Sequence, residues 1–235
     1  MTTLTLTDVA VSRGAGPVIS GVDAHVSSGE VLAVVGPNGA GKTSLIEAIS
    51  GVIKTSAGDI RLDGDSITKL SRVQRARRGI IHVEQGRAVF PSLTVAENVR
   101  LTAGSADGVV AALEYFPELQ KRFTAPAGLL SGGEQQMVVL ARSFAARPRV
   151  LLIDEMSLGL APVVVQRLLP AVTEFAAQGA AVILVEQFTQ LALGIAEQAL
   201  VVASGAVRYS GSAEVLAADP DLLHRAYLGE SSVVS

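Results

Sequence analysis

The chain has 235 residues, a formal charge of −3 and no cysteine, with 19 Lys and Arg against 22 Asp and Glu. A disulfide scaffold, a thiolate metal site and a thiol nucleophile are thereby excluded, and no global positive field favours nucleic acid. Apolar residues make up 49% of the chain, yet its longest apolar runs, such as Ala180 to Val185, hold about six residues, against the twenty or so of a bilayer-spanning helix.

The hydrophobicity is therefore expected in a core, and any membrane association through a partner. The start, Met1 to Leu4, lacks a basic region followed by an apolar one, so no secretory leader is expected, in keeping with a cytosolic location. Leu4, Leu6, Val9 and Val11, separated by polar residues, predict a half-buried strand. A glycine-rich turn follows at Gly14 to Pro17. Val31 to Val35 is a short apolar run and predicts a buried parallel strand. It leads into Gly36-Pro37-Asn38-Gly39-Ala40-Gly41-Lys42-Thr43, and Ser44 to Ser50 then reads as a helix capped by Gly51. Ser56 to Gly64 predicts a turn, a short strand and a turn.

Arg72, Arg75, Arg77 and Arg78 have no interleaved aromatics and are expected on a solvated helix face. Ile80 to Val83 predicts the next strand. Pro91 to Leu129 has mostly helical patterning, broken at Ala103 to Gly108 and at Pro126 to Gly128, and reads as an insertion between strands. A helix is predicted from Gly132 to about Ala146, with Met137, Leu140, Ala141 and Phe144 on one face. Val150 to Ile153 and Ala180 to Val185 read as buried strands separated by a helix over Val163 to Ala177. A hairpin is predicted near Ala199 to Ser210, turning at Ser204-Gly205, and short helices close the chain. Alternating strands and helices predict an α/β fold with a largely parallel sheet.

Gly36 to Thr43 fits G-x-x-x-x-G-K-[ST] between a predicted strand and a predicted helix, the context this phosphate loop requires. Glycines let successive backbone N–H groups converge on phosphate oxygens, and the helix N-terminus adds partial positive charge. Lys42 is placed to reach the β- and γ-phosphates of a bound nucleotide, and the Thr43 hydroxyl to bind Mg²⁺. Asp154 and Glu155 follow a buried strand, at the end of a parallel sheet where ligands bind. Asp154 is assigned to the Mg²⁺ shell and Glu155 to polarising the attacking water. Leu130-Ser131-Gly132-Gly133-Glu134-Gln135 carries a capping box between Ser131 and Glu134. Its two glycines are poor helix formers and fit a backbone that must approach a ligand closely.

The stretch L-S-G-G-E-Q, lying between the phosphate loop and the acidic pair, closely resembles the signature of the ATP-binding cassette family of transporter ATPases, and the resemblance covers essentially the whole chain. It implies a P-loop nucleoside-triphosphatase fold with a mostly parallel core sheet, an N-terminal antiparallel β subdomain and an inserted helical subdomain. Residues 1–235 form one domain in this reading, with a nucleotide-binding core at 1–85 and 148–235 and the helical subdomain at about 86–147. ATP and Mg²⁺ are the implied cofactors. Gly36 to Ser44 would hold ATP, and Ser131, Gly132, Gly133 and Glu134 would cap ATP held by a second cassette in a head-to-tail dimer. Gln85 matches the glutamine that touches Mg²⁺ and the attacking water. Phe90 to Thr94 resembles the segment lining the groove for a membrane subunit's coupling helix, with core packing of Phe90 as the alternative.

Three positions depart from the family pattern. Arg13 stands where an adenine-stacking aromatic is usual, although a guanidinium face also stacks on a base. Gln187 stands at the switch histidine, and Ala161 at the aspartate of the loop after Glu155; Met156 also replaces the usual proline. S-L-G-L-A-P (157–162), V-E-Q (185–187), G-R-x-V-F-P-S-L-T-V-x-E-N (86–98) and the ending Tyr227-Leu228-Gly229-Glu230 resemble the smaller ATPase of branched-chain amino acid importers, in which the switch position is commonly Gln. The glutamine-loop position in those relatives is commonly Glu, whereas Gln85 here follows Glu84, which keeps urea or short-amide importers open. The implied partners are a second ATPase subunit, two transmembrane permease subunits and an extracytoplasmic solute-binding protein, placing the chain on the cytoplasmic face of the membrane, with no nucleic acid. A cassette acting on DNA or ribosomes is disfavoured by the single P-loop and the absence of heptads. A nucleotide-gated regulatory subunit with weak hydrolysis is the remaining alternative, prompted by Gln187 and Ala161.

Overall fold

A computed structural model describes residues 1–14, 16–86 and 88–229; Glu230 and the arginine of G-R-x-V-F-P lie outside them. The strands are β1 (Thr3–Arg13), β2 (Gly16–Ser27), β3 (Val31–Val35), β4 (Ala57–Leu62), β5 (Asp65–Ser66), β6 (Ile80–Val83), β7 (Val150–Asp154), β8 (Ala181–Val185), β9 (Gln198–Ala203) and β10 (Ala206–Ser212). The helices are α1 (Lys42–Ser50), α2 (Arg72–Arg77), α3 (Val95–Ala103), α4 (Ala106–Glu114), α5 (Pro117–Gln120), α6 (Gly132–Ala145), α7 (Pro162–Ala177), α8 (Thr189–Leu193), α9 (Ala213–Ala218) and α10 (Pro220–Leu228). The strands form one mixed sheet in the order β5-β4-β1-β2-β10-β9-β3-β8-β7-β6. Strands β9, β3, β8, β7 and β6 run parallel, whereas β1, β2, β4 and β5 pair antiparallel. The two parts meet where Ala206 of β10 bridges Ser20 of β2.

Side-chain alternation along β3 decides which layer each residue serves. Val31, Ala33 and Val35 pack with α6 and α7, whereas Leu32 and Val34 pack with α1, β1 and β2. The run V-L-A-V-V is continuous because both faces of the strand are covered. Helices α3 to α6 all fall between β6 and β7 in the chain. Phe144 of α6 stacks on Phe175 of α7 at 4.3 Å between ring centroids, and Tyr115 meets both rings edge-on. This aromatic cluster joins the helical segment to the helix layer of the sheet.

Two sequence expectations need correction. Strand β2 is absent from the sequence reading because its buried residues Ile19, Val22 and Val26 are spaced by three and four, as on a helix face. The cause is irregular register against β1, with shifts between Leu6 and Val9 and between Val9 and Val11; Asp8 and Gly21 take positive φ there. Second, the arginines of α2 do not share a solvated face. Arg75 is 2% exposed, and its guanidinium donates to the carbonyls of Ala48, Ile49, Thr68 and Leu70 at 2.6–3.1 Å. Ala48 and Ile49 lie in the last turn of α1, where carbonyls lack helical partners and a cation is favourable.

His82 of β6 lies beside the same helix end, its Nδ1 3.1 Å from the Ser50 hydroxyl. Burial lowers its pKa from 6.5 to about 4, ahead of the opposing effect of Glu84. The folded form thus binds fewer protons than the unfolded chain between those values, so its stabilisation is present above pH 6.5 and is lost as pH falls towards 4. The loss is expected to reach about 2–3 kcal/mol. Denaturant titrations at pH 7 and pH 4 check this: His82→Gln, whose amide does not titrate, should lose less stability on acidification than wild type.

Candidate nucleotide-binding site

Strand β3 ends at Val35, and the chain turns at once through the glycine loop into α1. Gly36 (φ 146°), Gly39 (φ 78°) and Gly41 (φ 108°) occupy the positive-φ region that side chains disfavour. Gly36 is also required by packing, because a Cβ there would sit 1.9 Å from the carbonyl oxygen of Val202 in β9. Gly36→Ala is therefore expected to push the loop off β9 and weaken nucleotide binding by at least about tenfold. Titration calorimetry with ATP at constant Mg²⁺ checks this, and unchanged affinity would count against the packing argument.

Lys42 opens α1 and is 4% exposed. Its ammonium donates to the carbonyl oxygens of Gly36 and Pro37 at 2.8 and 3.0 Å, so the loop's own carbonyls hold the charge over its cradle. Burial lowers the lysine pKa, and the nearby carboxylates of Glu155 and Asp154 oppose that. Thr43 donates to Asp154 Oδ1 at 3.4 Å, joining the start of α1 to the end of β7. Asp154 is 2% exposed; burial raises its carboxyl pKa to about 6, with the Thr43 hydrogen bond acting the other way. Glu155 takes φ of 46° and accepts a hydrogen bond from Gln85 Nε2 at 2.9 Å.

A cavity of about 430 Å³ lies between these elements, and Asn38, Gly39, Gly41, Lys42, Thr43, Ser44, Gln85, Glu155 and Gln187 all line it, with Val18 and Leu158. The structure thus brings together a phosphate cradle, an acidic pair and two glutamines, from positions as distant as 36 and 187 in the chain. Pro37 and Ala40 shape the turn, the Ala40 amide donating to the Pro37 carbonyl at 3.3 Å. Arg13 is directed at α1, donating to Ser44 Oγ at 2.9 Å and pairing with Glu47; it is not among the residues lining the cavity.

Ser131 to Glu134 do not line this cavity either. They form the capping box at the start of α6, in which Ser131 Oγ accepts from the Glu134 amide at 3.3 Å and Glu134 Oε2 from the Ser131 amide at 2.8 Å. Gly133 has a reason within the chain to lack a side chain, since a Cβ would meet Val164 Cγ1 of α7 at 2.6 Å. Ala161 caps α7 without a side-chain hydrogen bond, so the missing aspartate leaves that helix start uncapped by its side chain.

Phe90 is 50% exposed, which removes core packing as its reason. Arg142 stacks over its ring at 5.4 Å. The loop from Phe90 to Thr94 is shaped by Asn98, which is fully buried. Its Oδ1 accepts from the Phe90 amide, and its Nδ2 lies within 3.2 Å of the carbonyls of Phe90, Leu93 and Thr94. The sequence places Asn98 and Glu186 within the stretches G-R-x-V-F-P-S-L-T-V-x-E-N and V-E-Q but assigns neither a role; Glu186 is 1% exposed and bonded to Ser157. A charged residue directly after the wholly apolar run A-V-I-L-V was the available signal for Glu186.

A strand–glycine loop–helix cradle with a buried lysine, beside an acidic pair at a neighbouring strand end, defines a nucleoside-triphosphate site of the P-loop type. The family described as ABC transporter matches residues 19–157. The branched-chain amino acid transport ATP-binding protein BraG of Pseudomonas aeruginosa is 36% identical over 214 residues, covering 88% of this chain and 91% of BraG. The lipopolysaccharide export ATP-binding protein LptB of Haemophilus influenzae is 32% identical and covers 98% of each chain. The crystal structure of the ADP conformation of MJ1267, an ATP-binding cassette, superposes with a TM-score of 0.84 over 98% of this chain at 23% identity, which supports the fold. The chain belongs to the ABC transporter family, as an ATP-binding, ATP-hydrolysing subunit of a transporter. No helix among the described residues is long and apolar enough to cross a membrane.

Proposed function

We propose that the chain powers an importer of branched-chain or other hydrophobic amino acids from the cytoplasmic face of the membrane. The observation that carries this reading is the 36% identity to BraG across nearly the full length of both proteins. Gln187 and the S-L-G-L-A-P stretch point the same way.

In this reading ATP lies along Gly36 to Ser44, with Lys42 turning from its carbonyl partners to the outer phosphates. The residues fit a hard divalent cation: the Thr43 hydroxyl, the Asp154 carboxylate and the Gln85 amide oxygen are all oxygen donors, and Thr43 and Asp154 already touch. Mg²⁺ bound there with ATP would neutralise phosphate charge. Gln85 orients Glu155, and Glu155 takes the proton of the attacking water. Gln187 offers a neutral hydrogen bond to the terminal phosphate. Ser131, Gly132, Gly133 and Glu134 close over ATP held by a second cassette, as suits a signature segment outside its own chain's cavity. Phe90 and the Asn98-shaped loop meet a permease helix. The full system contains a second ATPase, two permeases and an extracytoplasmic solute-binding protein.

A lipopolysaccharide-export role is the second reading, favoured by the 98% mutual coverage with LptB. Purification from native membranes, followed by reconstitution with the associated proteins, separates the two. Leucine, isoleucine or valine with the binding protein should stimulate ATP turnover. Stimulation by urea or short amides alone, or co-purification with lipopolysaccharide-handling proteins, would contradict the proposal.

A further inference from the structure

Glu186 directly follows β8, and a single residue engages both of its carboxylate oxygens. The Ser157 amide donates to Oε1 at 3.1 Å, and the Ser157 hydroxyl donates to Oε2. The Gln187 amide also donates to Oε2, at 3.2 Å. Burial of a carboxylate is costly unless its lone pairs are filled, and here the donors come from the two loops that carry Glu155 and Gln187.

Glu155 needs such support. Its φ of 46° is left-handed, and a residue with a long side chain holds that conformation only where its surroundings fix it. Its own amide donates to the Val185 carbonyl at 2.9 Å, and the Leu158 amide donates back to the Glu155 carbonyl at 3.2 Å. Ser157 lies between those two anchors. On the far side of the same segment, the Thr189 hydroxyl bonds to the Tyr227 hydroxyl of α10. The end of β8 is therefore the fixed point for both loops.

We infer that Glu186 is a positioning residue: through Ser157 it holds Glu155 in its left-handed turn, and through the Gln187 amide it sets Gln187 at the same cavity wall. One buried carboxylate thereby fixes the distance between the group that takes the water's proton and the group that meets the terminal phosphate. This rests on the reading of Glu155 as the general base.

The test uses the chain in the complex with which it purifies. Glu186→Gln has nearly the same shape but turns an NH₂ group towards a donor of Ser157. Its kcat is expected to fall by about tenfold or more, while Kd for a non-hydrolysed ATP analogue changes by less than about twofold. Ser157→Ala should shift the same two quantities in the same way, and Ser157→Thr, which restores a hydroxyl, should recover most of the rate. Gln187→Ala should cost less in the Glu186→Gln background than in wild type, because the two residues act on one geometry. Wild-type turnover in both Glu186→Gln and Ser157→Ala would overturn the inference. So would equal losses in kcat and analogue affinity, or no recovery in Ser157→Thr. If Glu186→Gln does not fold, the two Ser157 variants decide the question. Glu155→Gln is the control: full turnover there removes the general-base reading itself, whereas lost turnover there beside wild-type turnover in both Glu186→Gln and Ser157→Ala removes only this inference.

Discussion

Glu155→Gln is expected to lower ATP turnover by about 10²–10⁴-fold, the usual contribution of a positioned proton acceptor, while ATP still binds. The amide keeps the shape of the carboxylate and can still bond to Gln85, which lies 2.9 Å from Glu155 Oε2. It cannot accept the proton of an attacking water. The P-loop, Lys42 and Thr43 are untouched, so nucleotide affinity should persist and ATP should accumulate in its closed complex. Rapid-quench turnover together with retention of labelled ATP on a gel-filtration column checks both halves. A variant that hydrolyses ATP at the normal rate would show that Glu155 is not the base.

Arg75→Met is expected to cost about 3–5 kcal/mol of stability, in the range found when one partner of a buried charged network is removed. Methionine fills much of the volume and supplies no donor. The carbonyls of Ala48, Ile49, Thr68 and Leu70 would lose the guanidinium that now bonds to all four. For a chain of this length the change corresponds to a fall in Tm of roughly 6–20 °C. Because Ala48 and Ile49 end the helix that begins at Lys42, nucleotide should recover part of the loss by binding only the folded form. Calorimetric scans with and without ATP measure both effects, and a Tm within a degree or so of wild type would contradict the account.

What the sequence shows of this protein and what it hides follow from how far apart in the chain the interacting groups lie. Gly36 to Thr43 is legible because its glycines, lysine and threonine act within one turn of backbone between a strand and a helix. The capping box at Ser131 and Glu134 is legible for the same reason. Asp154 and Glu155 are legible as residues at a strand end, but the contact of Thr43 with Asp154 spans 111 residues and needs the parallel pairing of β7, β8 and β3. Arg75 reads as a surface charge because sequence patterning does not register four carbonyls converging from α1 and the loop before α2. Strand β2 hides behind its bulges, which turn a period of two into spacings of three and four. Glu186 shows in the sequence as a charge directly after the apolar run A-V-I-L-V, but its partner Ser157 lies 29 residues away across the α7 crossover, and no local pattern pairs the two.

The most direct test of the composite site is the structure of the Glu155→Gln complex with ATP and Mg²⁺. The terminal phosphate should lie within hydrogen-bond reach of Lys42 Nζ on one side and of a signature-segment serine from a second cassette on the other. ATP contacted by this chain alone, with no second cassette covering its phosphates, would contradict the account.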